Sequence, residues 1–212
     1  MQLFNKKAFK KTLYHTWYIY PIVVAISTIL LIWGFQAYHQ PSAHQRLVLF
    51  FATEIRSRSF ADKIMEKYDK EELREVEPNY ALPSATGYQT KLNLYVNEAD
   101  ILVLDETSMN GIGDYCNLFL IEINQEIKNT YLNGISTYYS NKDKDYGVLL
   151  KKKGEDHYLK TYMDFEEDKD YYLAFTVAST NLGKYSDDNS DHYNNALTFS
   201  QYLLEGNLWE RK

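Results

Sequence analysis

Residues 47–54 read LVLFFATE and residues 99–106 read ADILVLDE. Each contains a run of apolar, strand-favouring residues too short for a helix and closed by polar groups, the pattern of a strand buried on both faces. A strand with one solvated face would alternate apolar with polar residues. Neither 47–51 nor 101–104 alternates, so the sheet they build is expected to carry helices on both sides. YYLAFTVAST, residues 171–180, is a third run of this kind.

The segments between these runs have the periodicity of the covering helices. RSFADKIMEKY (58–68) places Phe60, Ile64 and Tyr68 four residues apart with Met65 adjoining, and Ser59 followed by Asp62 suggests its N-cap. A short strand is expected near LREVEP (73–78), ended by ALPSATG (81–87). GYQTKLNLYVNEAD (87–100) fits either period; the stripe of Tyr88, Leu92 and Tyr95 favours a helix. NLFLIEINQEIKNTYLNG (117–134) is expected to be helical at first, with Gly134 as its stop. Residues 136–165 read as antiparallel ribbons, with KKKG (151–154) at a hairpin tip. HYNNALTFSQYLLEG (192–206) carries Ala196, Phe199, Leu203 and Leu204 on one helical stripe with Gly206 as C-cap. The expected fold class is α/β, a mixed sheet with flanking helices, for one domain over 47–212.

A different rule governs residues 17–38, WYIYPIVVAISTILLIWGFQAY, which contain no charged residue. As a helix this stretch is about 30 Å long, enough to cross the hydrocarbon core of a bilayer. Trp17, Tyr18 and Tyr20 at one end and Trp33, Phe35 and Tyr38 at the other suit the two headgroup levels. The leader, 1–16, carries Lys6, Lys7, Lys10 and Lys11, so the positive-inside rule places the N-terminus in the cytosol and the rest outside. A cleaved signal would have a shorter apolar core and a small-x-small site, which Phe35 before Ala37 and Pro41 before Ala43 do not supply. An uncleaved single-pass anchor in the cell membrane is therefore expected, followed by a short linker, 39–46.

Without the four leader lysines the chain has 19 basic and 29 acidic residues, a formal charge of −10. Such a surface repels nucleic acid and anionic lipid. Cys116, the only cysteine, cannot form an internal disulfide, and there is no N-x-Ser/Thr sequon; both lean toward a bacterial cell surface.

In an open α/β sheet, ligands bind beyond the carboxyl ends of the strands. Thr53 and Glu54 follow the first run, Asp105 and Glu106 the second, and Ser179 and Asn181 the third. They converge if the three strands are parallel neighbours, and they are the candidate ligand-binding residues; the plainer alternative is that they cap loops. Replacing Asp105 and Glu54 is expected to weaken recognition and leave the fold intact. Asp187, Asn189 and Asp191 have calcium-loop spacing, but His192 and Thr198 stand where the motif needs Gly and Glu. The acidic run Glu166, Glu167, Asp168 and Asp170 reads as a solvated turn. No nucleophile elbow, phosphate loop or clustered Cys and His is present, so no enzymatic activity, metal or cofactor is expected.

The order LVLFFATE, amphipathic helix, YQTKLNLYVNEADILVLDE resembles the opening of the type 2 solute-binding proteins of bacterial ABC importers. YGVLLKKKGE, DYYLAFTVASTNLG and NNALTFSQYLLEG are similar to the returning strand and packing helix that complete such a lobe. The resemblance implies a solute-binding-like lobe, associated with a transporter. Members have two lobes and about twice this length, and they are released or lipid-anchored. This chain is then a reduced, membrane-tethered relative, expected to recognise a small solute or a component of an ABC transporter or other membrane protein. The alternative is a structural or assembly role in a membrane complex, with no small-molecule ligand.

Overall fold

A computed structural model of the chain describes residues 14, 16–66, 73–182, 185 and 194–205. It has two compact units, one ending at Gln40 and one beginning at Pro41. In the first, α1 (Ile19–His39) is a 21-residue helix, and none of the window Ile19–Gln36 is buried. Its length and composition suit a membrane crossing, and Pro21 falls in its first turn, where its missing amide breaks no helical bond. The basic leader lies outside the described residues apart from Tyr14 and Thr16.

The second unit is a mixed six-stranded sheet in the order β3-β1-β4-β8-β6-β5. Its strands are β1 (Arg46–Phe51), β3 (Glu75–Tyr80), β4 (Ile101–Asp105), β5 (Tyr138–Asn141), β6 (Lys144–Lys151) and β8 (Tyr171–Phe175). β2 (Glu54–Ile55) and β7 (Met163–Asp164) form a separate antiparallel pair. β1 runs parallel to both β3 and β4, whereas β8 is antiparallel to β4 and β6. Pro78 sits in β3, the edge strand, which has an open side where no ladder bond is needed.

Two apolar layers enclose the sheet because consecutive residues of its central strands point to opposite faces. Leu47, Leu49, Phe51, Ile101 and Val103 pack with Phe60 of α2 (Ser59–Met65). The same layer takes Ile127 of α6 (Gln125–Tyr131), and Phe199 and Leu203 of α7 (Asn195–Glu205). Phe50, Leu102 and Leu104 pack on the other face with Tyr88 and Leu92 of α3 (Tyr88–Tyr95), and with Met109 and Ile112 of α4 (Glu106–Ile112). The mixed α/β architecture with flanking helices is thus present.

Local expectations need four corrections. The stretch 117–134 is not one helix: α5 (Cys116–Phe119) stops where Leu120 bridges Thr176 and the Ile121 amide donates to Phe175 O. The chain becomes helical again at α6, capped by Asn124, whose Oδ1 accepts the Ile127 amide at 2.9 Å. Ser59 opens α2, and it is the Ser57 hydroxyl that accepts the Ser59 amide. Lys151 is not at a solvated tip. It is buried, with Nζ donating to the carbonyls of Glu166, Glu167 and Lys169 at 2.7, 3.3 and 3.1 Å, so the acidic run folds over it with its backbone. The fourth correction, the direction of β8, concerns the site.

Candidate functional site

From β1 the chain crosses through α2 to β3, and from β3 through α3 to β4 on the far side of β1. The two crossovers lie on opposite faces of the sheet, so the carboxyl ends of β1 and β4 flank a topological switch point. Thr53, Glu54, Asp105 and Glu106 all follow or close these strand ends.

Of these, Thr53 and Asp105 are closed off. Thr53 is buried, and its hydroxyl donates to Asp164 O at 2.5 Å, joining the β1–β2 connection to β7. Asp105 is fully buried: Oδ1 accepts the Ser108 amide at 2.9 Å and caps α4, and Lys169 Nζ lies 3.1 Å from Oδ2. Burial alone would lower the Lys169 pKa, but the carboxylates of Glu166 and Asp105 hold it above its ordinary value. Nearby, the Tyr88 and Ser108 hydroxyls are hydrogen-bonded at 2.6 Å, and burial pushes the Tyr88 phenol up to about 12. Asp105 thus holds a helix and an ion pair, so it cannot be removed with the fold untouched. Glu54 is exposed on β2 and Glu106 on the first turn of α4.

Ser179 and Asn181 do not join them. Because β8 runs antiparallel, the chain beyond Phe175 emerges at the amino ends of β1 and β4. There the Ser179 hydroxyl donates to Asp100 Oδ1 at 2.6 Å, and Asn181 Nδ2 donates to Asp100 Oδ1 at 3.1 Å and to Arg46 O at 2.9 Å. Asp100 also accepts the Val48 amide at 2.7 Å. The cluster anchors the entry segment: Asn195 Nδ2 donates to His44 O at 2.9 Å, and His44 Nδ1 lies 3.1 Å from Thr180 O. The chain therefore enters this unit at the end of the sheet opposite the switch point.

Two clefts lie near the carboxyl ends. The first, about 380 Å³, opens at the end of β3 and is lined by Arg58, Asn79, Tyr80, Thr86 and Lys91, with Tyr88 behind them. Arg58 comes from the connection into α2 and Lys91 from α3, so the two cations reach it from elements on opposite faces of the sheet. The strand-end rule had pointed only to the loops after the three apolar runs. The β3 end was missed because EVEPNY, with its acids and proline, gives a weak strand signal.

The second cleft, about 390 Å³, lies beside β2 and β7 and includes Arg56, His157, Lys160 and Asp164. Its charges are largely paired, Arg56 with Asp164 at 2.5 Å and Lys160 with Asp156. The His157 ring lies against Tyr158 and Phe165, and Nδ1 accepts the Leu159 amide at 3.3 Å. Burial, then the charge of Lys151, pulls its pKa down to about 4 from an ordinary value near 6.5. The unfolded chain therefore takes up this proton first as the pH falls, and the contribution of His157 to stability is lost between about 6.5 and 4. Urea titrations at several pH values should show this loss in the parent chain and a flatter dependence in His157→Gln.

Asp187, Asn189, Asp191 and His192, with their calcium-like spacing, lie outside the described residues. Among the described residues no three His, Cys, Asp or Glu side chains gather as a metal-ligand set. No protein-family model, no curated protein and no solved structure matches the chain.

Proposed function

We propose that the chain is a non-enzymatic, single-pass membrane protein whose extracytoplasmic lobe recognises a small solute. The observation that carries this reading is the cleft of about 380 Å³ at the carboxyl end of β3, in the parallel part of the sheet. Ligands of open α/β sheets bind at this end. The entry segment is fastened at the opposite end of the sheet. Support for the solute-binding-like lobe comes from β8, which returns antiparallel between β4 and β6, and from α7, which packs across one face. The partner would be a transporter component in the same membrane, reached because α1 tethers the lobe there.

The full chain in phosphatidylcholine nanodiscs, screened by thermal shift against a panel of small solutes, tests the reading. At least one solute is expected to stabilise the lobe, and Ala85→Trp, which fills the cleft from an exposed loop, should abolish the shift. A panel without effect, or a shift that survives Ala85→Trp, refutes the solute site. Protease added to intact cells should remove the second unit while the leader stays protected; the reverse pattern refutes the orientation.

An assembly role is the second reading. It draws on an apolar groove of about 360 Å³ lined by Leu92, Val96, Ile112, Tyr115 and Phe119. In that case the lobe would hold a membrane complex together and the solute panel would be silent.

A further inference from the structure

We infer that the cleft at the end of β3 selects a small organic anion, held through a carboxylate or phosphate group by Arg58 and Lys91; this rests on the solute-binding reading. The reason is an imbalance in how the cations are used. Arg46, Arg56, Lys128, Lys144 and Lys169 are each paired with a carboxylate, and Lys151 is satisfied by three carbonyls. Of the lysine and arginine side chains among the described residues, only Arg58, Lys91 and Lys153 make neither hydrogen bond nor ion pair, and two of these three line one cleft.

No carboxylate lines that cleft. Glu77, the acid whose charge senses Arg58, is already held by Arg46 and by Asn79 Nδ2 at 3.2 Å. In a chain with 29 acidic and 23 basic residues, a cleft with two unpaired cations and no acid is a local exception to the surface charge. An arginine fork matches the two oxygens of a carboxylate or phosphate, and a lysine adds a point charge. Thr86 and Tyr80 place hydroxyls on the same lining, able to donate to further oxygens of the ligand. The acidic surroundings disfavour a polyanion such as nucleic acid or an anionic membrane, which would meet the whole surface. A small anion meets only the cleft.

The test is calorimetric titration of the full chain in phosphatidylcholine nanodiscs with succinate, inorganic phosphate, glucose and putrescine. Succinate or phosphate is expected to bind, and which of the two does so identifies the anionic group. Arg58→Ala and Lys91→Ala should each weaken binding about tenfold or more, and Arg58→Lys should restore part of it. Circular dichroism on the same samples confirms that these exposed substitutions leave the lobe folded. Absence of binding by both oxyanions, or binding unchanged in Arg58→Ala and Lys91→Ala, overturns the inference. Binding of glucose or putrescine that is lost in Ala85→Trp but kept in Arg58→Ala overturns the anion selectivity while sparing the cleft. Binding by any probe that survives Ala85→Trp overturns the cleft reading itself.

Discussion

Phe50→Ala and Phe51→Ala are each expected to destabilise the second unit by about 3–5 kcal/mol, the range for truncating a fully buried phenylalanine. The two residues are neighbours in β1 and point to opposite faces of the sheet. Phe50 stacks on Tyr95 at 4.8 Å in one layer, and Phe51 meets the edge of Phe60 at 5.7 Å in the other. Both rings have no exposed surface. If either face were solvated, one substitution would cost little, because a side chain already in water loses no burial. Urea titration of the detergent-solubilised chain, followed by near-ultraviolet circular dichroism of its tyrosines, measures both costs. A cost under about 1 kcal/mol at either position would contradict a strand covered on both sides.

Asp100→Ala should cost about 3 kcal/mol, as expected for an acceptor lost from a buried polar cluster. Asp100 is nearly fully buried and accepts from the Val48 amide, the Ser179 hydroxyl and Asn181 Nδ2. In the variant the Ser179 hydroxyl can rotate and Asn181 keeps Arg46 O, but the Val48 amide loses its acceptor. Asp100→Asn should cost less, because one oxygen remains. Burial holds the Asp100 carboxyl above its ordinary range, and the bonds from Ser179, Val48 and Asn181 only partly oppose this. The folded chain thus takes up this proton before the unfolded chain does, so this group favours folding more as the pH falls through its folded pKa, opposite in sign to His157. The same urea assay, run on the parent and both variants, should rank them parent, Asp100→Asn, Asp100→Ala. Equal stability of Asp100→Ala and the parent would mean that the cluster does not anchor the entry segment.

Elements marked by an unbroken apolar run or a helical stripe were legible. β1, β4 and β8 fall on the three apolar runs, although β8 ends at Phe175 where the third run continues to residue 180, and α3 carries the stripe of Tyr88, Leu92 and Tyr95, since burial selects side chains along a single element. The break at Leu120 was not legible, because its cause is a partner strand end at Phe175 and Thr176, far away in sequence. The role of Lys151 was hidden for the same reason: its acceptors are backbone carbonyls of a distant loop, and a carbonyl leaves no trace in residue type. At the candidate site the strand-end rule expected Thr53, Glu54, Asp105 and Glu106 beyond the carboxyl ends of β1 and β4, where they lie, but none of the four lines the cleft at the end of β3. Arg58 and Lys91 were not visible, because each is an ordinary exposed cation in the sequence and becomes distinctive only when its neighbours prove to be paired.

By itself the amino-acid sequence determined that the second unit is a sheet covered on both faces and that an apolar helix long enough to cross a bilayer precedes it. Both are properties of side chains summed along one segment, which the environment of that segment must match. Only the tertiary structure decided that β8 runs antiparallel. An apolar run reads alike in either direction, and the direction is set by where the preceding β6, β7 and acidic loop leave the chain. That choice separates Ser179 and Asn181 from Asp105 by the length of the sheet and sends them to the anchoring cluster around Asp100. The cleft between Arg58 and Lys91 lies at the other end of the sheet, beyond the carboxyl end of β3.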